Sequence, residues 1–196
     1  QSSAGIVLYS PNFAGWTQVQ LLAPIAAHFK VGVFMRNDVK TASLGEYFFG
    51  AGQGYRWVVM ITLGTGIGGS LIVDGKLVLG SGEGFGEVGH MTVDPGGRRC
   101  GCGNHGCWEA LAGRDAIIER AHRLLQTGRP SMLGEMTGWG LDAITPALIA
   151  EAAQRGDALA REALDETGMW VGIGVANLIQ VYNPEVVIIG GGISQA

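Results

Sequence analysis

Trp57-Val58-Val59-Met60-Ile61-Thr62-Leu63 runs directly into Gly64-Thr65-Gly66-Ile67-Gly68-Gly69. The first seven residues are apolar and β-prone, the pattern of a strand buried on both faces. The next six contain G-x-G-x-x-G, which after a strand is the wording of a dinucleotide loop. That reading requires the loop to open a helix. The chain continues instead with Ser70 to Val73, then Asp74-Gly75, then Lys76 to Leu79. A two-residue Asp-Gly between apolar runs predicts a hairpin, so the dinucleotide reading fails. A strand–glycine turn–strand remains. It can present backbone N–H groups to phosphate, with the Thr65 hydroxyl as a further donor. A tight turn built of small residues is the plain alternative.

Upstream, Gly5 to Tyr9 reads as a short strand ended by the turn signal Ser10-Pro11-Asn12. A helix is predicted from Leu21 to Phe29 with Pro24 in its first turn. Val31 to Met35 reads as a strand that delivers Arg36-Asn37-Asp38, and Val39 to Phe49 as a helix stopped by Gly50 and Gly52. Downstream, Ser81 to Gly106 shows almost no periodicity. Ile117, Ile118, Ala121, Leu124 and Leu125 form a helical stripe ending at Gly128 and Pro130. Thr145-Pro146 is an N-cap followed by proline, with Gly156 closing that helix. Asp157 caps a longer helix to Tyr182, whose Gly168, Gly172 and Gly174 imply tight packing against a neighbour. Glu185 to Ile189 is a buried strand opening onto Gly190-Gly191-Gly192. Strands and helices in this order define an α/β fold.

Composition sets the outer limits. The 196 residues carry 13 Lys+Arg against 17 Asp+Glu, a net charge of −4. That mild acidity argues against a basic nucleic-acid-binding surface on this segment. No apolar run approaches the roughly 18 residues needed to span a bilayer, and no signal peptide opens the chain, so a cytoplasmic location is expected. Glycine is in large excess, 34 residues where average usage would give about 14. They cluster between Gly64 and Gly113 and at Gly190–Gly192, which points to close backbone approaches.

All three cysteines lie in the aperiodic segment as Cys100-x-Cys102-x₄-Cys107. Disulfide pairing would leave one thiol over, and nothing indicates secretion. A metal reading uses all three, and His90 lies in the same stretch. Three thiolates and one imidazole fill a closed tetrahedral Zn²⁺ site of the structural type. His105, inside the cysteine cluster, competes for the fourth position, and buried unliganded cysteines are the ordinary alternative.

The notable polar residues are Asn37-Asp38, Glu87-x-x-His90 and Glu109. Singly, each is more often a surface residue or helix cap. Together, beside glycine turns and a metal loop, they suit a polyhydroxylated ligand. Asp38, presented from a strand end, suits a general base.

The chain resembles the ROK family (repressor, open reading frame, kinase) of sugar kinases and sugar-sensing repressors. The match is carried by Ser10-Pro11-Asn12 with Gly15-Trp16, Asn37-Asp38, Leu44-Gly45-Glu46 and Gly64 to Gly69. It continues through Gly86-Glu87-Val88-Gly89-His90-Met91, Cys100-Gly101-Cys102-Gly103, Gly106-Cys107-Trp108-Glu109 and Pro184 to Gly192. The local wording is similar to that of the family's glucokinases. The resemblance implies an actin-like (ribonuclease H-like) two-lobed ATPase fold. Residues 1–36 would end the first lobe, and 37–196 would form the second with the sugar site, the zinc loop and part of the ATP site. It implies Asn37, Asp38, Glu87, His90 and Glu109 as sugar ligands, with Asp38 the catalytic base and His90 serving both zinc and sugar. Gly64, Thr65, Gly66, Gly68 and Gly69 would line the ATP phosphates, and Gly190, Gly191 and Gly192 the adenosine.

The expected activity is transfer of the γ-phosphate of ATP, with Mg²⁺, to a hexose, glucose 6-OH above all. A sugar-sensing repressor is the alternative. A homo-oligomer is implied by the family, and neither membrane nor nucleic-acid partners are expected for this segment. Two departures stand out. The family's opening Asp-x-Gly-Gly-Thr phosphate loop is absent, so the chain reads as an inactive fragment of a longer protein. Val39-Lys40 also replaces the small pair often found after the aspartate.

Overall fold

The structure is a computed structural model that describes residues 4–9, 13–138 and 140–195. The turn expected at Ser10-Pro11-Asn12 lies outside the described residues. Strand β3 (Trp57–Leu63) is the axis of the molecule, with Val58, Val59, Met60 and Ile61 all buried. It pairs antiparallel with β4 (Ile67–Val73), from Trp57↔Val73 to Leu63↔Ile67, so Gly64-Thr65-Gly66 form the turn. Gly64 N–H donates to the Gly66 carbonyl at 3.0 Å across it. Strand β5 is only Lys76–Leu77, shorter than the expected run to Leu79. Its register pairs Val73 with Lys76 around Asp74 and Gly75, both at positive φ as a two-residue hairpin demands. Strand β6 (Val186–Gly190) adds parallel to the other side of β3, giving the order β5-β4-β3-β6.

A parallel pairing needs a crossover, and five helices supply it. These are α3 (Trp108–Ala112), α4 (Arg114–Leu125), α5 (Met132–Met136), α6 (Pro146–Gln154) and α7 (Ala158–Tyr182). Two caps are as read from sequence: Thr145 Oγ1 accepts from Leu148 N–H and Asp157 Oδ1 from Ala160 N–H. Helix α7 lies on the sheet, placing Leu178 among Val59, Ile61, Leu63 and Trp108. A second core joins α4 to α7 through Ile117, Leu133, Ile149, Leu159 and Ala163. Of the three α7 glycines, only Gly174 is packed tightly: a Cβ there would overlap the buried Trp108 indole. Gly168 and Gly172 face open space, so the expectation of tight packing fails for those two.

The N-terminal part departs further from expectation. An antiparallel hairpin of β1 (Ile6–Tyr9) and β2 (Thr17–Gln20) precedes α1 (Leu22–Phe29). Strand β2 is a surprise: Thr17 and Val19 alternate with Gln18 and Gln20, but four residues are too short a run to stand out in sequence. Val31 to Met35 form no strand. They are extended enough in sequence preference, but among the described residues no strand pairs with them, and Val31 and Phe34 are exposed. Asn37-Asp38 are therefore delivered by a helix start. Asn37 is the N-cap of α2 (Asp38–Phe49), its Oδ1 accepting from Lys40 N–H at 3.1 Å. Gly50 closes that helix as expected. Among the described residues no helix is long and apolar enough to cross a membrane.

Candidate functional site

The first three residues of β4, with the turn before them, are where Glu109 and the segments carrying Asp38, Glu87 and His90 meet. A Cβ on Gly66 would overlap the Glu109 carboxylate, and one on Gly68 would press on Val39 Cγ2. One on Gly69 would press on Val88 Cγ2, and Gly89 packs its backbone on the Ile67 carbonyl. Gly69 N–H also donates to the Gly86 carbonyl at 2.8 Å. Asp38 is next to Val39, Glu87 and His90 flank Val88-Gly89, and Glu109 accepts from Ile67 N–H at 3.0 Å. Segments far apart in sequence thus meet on one short backbone stretch. They can do so only because that stretch has no side chains in the way. The excess of glycine here serves packing of the chain on itself as much as any ligand.

Around this hub, Asn37, Asp38, Glu87 and His90 are exposed and Glu109 is half-buried. Glu87 precedes a 3₁₀ turn (Val88–His90), and His90 N–H donates to its carbonyl. Two residues to which sequence reading gave no role in the site belong here. Lys40 is buried and its ammonium donates to the Glu83 carbonyl at 2.5 Å, anchoring the segment that leads to Glu87. Arg114 opens α4, its N–H donating to the Gly64 carbonyl at 3.0 Å and its Nη1 lying 3.4 Å from Thr65 Oγ1. The signal for Lys40 was its unusual place beside Asp38; Arg114 carried none beyond its position after Gly113.

The cysteine segment is ordered by turns and two isolated strand bridges, Thr92↔Cys107 and Arg99↔His105. Cys100 N–H donates to the Asn104 carbonyl at 2.7 Å and Gly103 N–H to the Cys100 carbonyl at 3.0 Å. Gly106, at positive φ, packs on the Asp94 carbonyl, where any Cβ would collide. The result gathers His90, Cys100, Cys102 and Cys107, whose ligand atoms lie within 4.8 Å of one another. Cys100 Sγ is 3.7 Å from His90 Nδ1, and Cys102 Sγ is 3.6 Å from Cys107 Sγ. His105 stands outside the group, so the competition for fourth ligand goes to His90.

The donor set fits a thiophilic tetrahedral cation. Without one the thiols oppose each other. Burial, with hydrogen bonding to Cys102 and Cys100, pushes the Cys107 thiol up to about 12. The Asn104 backbone and Cys100 hold Cys102 below its usual range. A bound cation would let all three ionise.

At the end of β6 the glycines divide. Gly191, at positive φ, packs on the Leu63 backbone and Gly190 on Met60 Cε, while Gly192 is open. Gly192 borders a cavity of about 230 Å³ with Pro146, Ala150, Glu151, Ile193 and Gln195.

A mixed sheet with its helices on a long crossover matches the actin-like ATPase fold of ROK sugar kinases. The ROK family model matches residues 1–196, and the chain belongs to that family. It is 41% identical over 193 residues to a glucokinase from Thermotoga maritima, covering 98% of this chain and 60% of that protein. It is 35% identical over 191 residues to a xylose repressor from Caldicellulosiruptor bescii, covering 97% of this chain and 47% of the repressor. Its fold matches, with a TM-score of 0.88 and 36% identity, a crystal structure of a ROK family glucokinase from Streptomyces griseus in complex with glucose and AMPPNP. That match covers 98% of this chain and 62% of the other.

Proposed function

We propose that the protein is a sugar kinase that transfers the γ-phosphoryl group of ATP to a hexose, glucose at its 6-hydroxyl being the foremost candidate. What supports this reading is that Glu109, Val39 (next to Asp38) and Val88-Gly89 (between Glu87 and His90) all pack on the head of β4, next to the Thr65 turn. Sugar hydroxyls need many donors and acceptors held at fixed positions, and phosphoryl transfer needs positioning and charge stabilisation above all. Asp38 accepts the proton of the attacking hydroxyl as it adds to phosphorus. Asn37, Glu87, His90 and Glu109 orient the ring. Glu109 spends one carboxylate oxygen on Ile67 N–H and keeps the other for a hydroxyl. His90 turns Nδ1 towards Cys100, leaving Nε2 for the sugar. The Gly64–Gly69 turn receives the phosphates and Gly190–Gly192, with the neighbouring cavity, the adenosine. Mg²⁺ would neutralise phosphate charge, and Zn²⁺ held by His90, Cys100, Cys102 and Cys107 would fix the loop that carries His90 and Glu109. A cytoplasmic location and a homo-oligomer accord with this role.

The test is ADP release in the presence of ATP and glucose, using the protein encoded by the full reading frame. Glucose-dependent turnover supports the reading. Absent turnover with sugar-dependent DNA binding establishes the competing repressor reading, which the similarity to the xylose repressor keeps in play.

A further inference from the structure

We propose that Arg114 is a ligand of the nucleotide's terminal phosphates, acting with Gly64 and Thr65 as the phosphate-receiving part of the glycine turn; this rests on the kinase reading above. The six-residue turn is less open than its sequence implies. Gly66, Gly68 and Gly69 are covered by Glu109, Val39 and Val88, and Ile67 N–H already donates to the Glu109 carboxylate. That carboxylate repels an anion from the Ile67 end. At the other end stands the Arg114 guanidinium, paired on its Nε side with Asp115 and open on its Nη side towards Thr65. The Arg114 N–H is tied to the Gly64 carbonyl, which fixes the root of its side chain against the turn. Its Nε donates to Asp115 Oδ1 at 2.7 Å and its Nη1 approaches Thr65 Oγ1 at 3.4 Å. The guanidinium has five N–H donors in a planar fork. These contacts leave the rest of the fork without a protein acceptor among the described residues, and the side chain is 46% exposed. Arg114 also opens a twelve-residue helix whose N-cap, Gly113, offers no side-chain acceptor. The positive end of that helix adds to the same attraction. An oriented guanidinium beside a threonine hydroxyl and a glycine turn is suited to bidentate phosphate contact.

The experiment is calorimetric titration of the protein encoded by the full reading frame with AMP, ADP and ATP, in the presence of glucose. Wild type, Arg114→Ala and Arg114→Lys are compared. Loss of charge-assisted hydrogen bonds should weaken ATP and ADP by about tenfold to a hundredfold. AMP and glucose should stay within about twofold of wild type, and lysine should restore part of the loss. Unchanged ATP affinity overturns the proposal. So does an equal loss for AMP and ATP, which marks Arg114 as merely shaping the turn. Arg114→Gln, closer in size, gives the same two outcomes should the alanine variant misfold. Wild-type protein that binds no ATP defeats the kinase reading itself, and this inference with it.

Discussion

Asp38 and Asn37 stand side by side, and only Asn37 has a structural task. The helix cap is Asn37, while the Asp38 carboxylate caps nothing and is exposed. On the proposed kinase reading, Asp38→Asn should lower kcat of the protein encoded by the full reading frame by about 10²–10⁴, the usual loss for a general base, with ATP affinity and Tm near wild type. Asn37→Ala should cost about 1 kcal/mol of stability, measured by denaturant unfolding. Near-normal turnover of Asp38→Asn would remove it from the mechanism. Asp157 offers a titrating counterpart. Burial pushes its carboxyl up, but hydrogen bonds from Ala160 N–H, the Ser131 hydroxyl and Met132 N–H outweigh this and hold it below the usual range. Because the folded value is depressed, its contribution is complete above the unfolded value of about 3.9 and fades as pH falls through the folded one. Asp157→Ala should cost about 2–4 kcal/mol near neutrality, since it uncaps α7 and strips partners from the start of α5. The stability gap between wild type and variant should narrow below about pH 4, and a gap that persists in acid would count against a role for the charge.

Helix α7 separates what glycine does by position within one element. Gly174→Ala must displace the Trp108 ring, whose Nε1 is pinned to the Trp170 carbonyl at 2.8 Å. Gly168→Ala and Gly172→Ala meet nothing. The first should destabilise by about 1–3 kcal/mol, the other two should stabilise by roughly 0.5–1 kcal/mol each, and thermal melts of the three variants check the contrast. Equal effects at all three would show the helix is packed otherwise. Elements of this kind were largely legible in the sequence. The apolar run of β3, the Asp74-Gly75 turn and the caps at Thr145 and Asp157 are local signals, decided by residues within a few positions. Val31 to Met35 failed because a strand needs a partner edge, which no local pattern supplies. The polar β2 was invisible for the converse reason, its pairing with β1 giving it a state its own residues do not announce.

At the scale of the molecule, the candidate site was legible as a set of residues and not as an assembly. Glycine excess and the cysteine spacing pointed to segments that the structure brings together. That Gly66, Gly68 and Gly69 are covered by Glu109, Val39 and Val88 is a fact of tertiary contact. So is the approach of Arg114 to Thr65, forty-nine positions away. The cysteine loop joins this assembly to the core, because Cys107 leads directly to the buried Trp108 and to Glu109. Elemental analysis of protein purified without added metal should find one Zn²⁺ per chain, and Cys107→Ser should lower both zinc content and Tm. Metal-free protein with unchanged folding would sink the claim. The crowding on the head of β4 also bears on how the molecule is made. A ribosome releases Asp38 early, but the contacts that complete the pocket wait until Glu109 and Arg114 have emerged. Until then the head of β4 is uncovered, and on the proposed reading a nascent chain stalled before that point should hold no sugar.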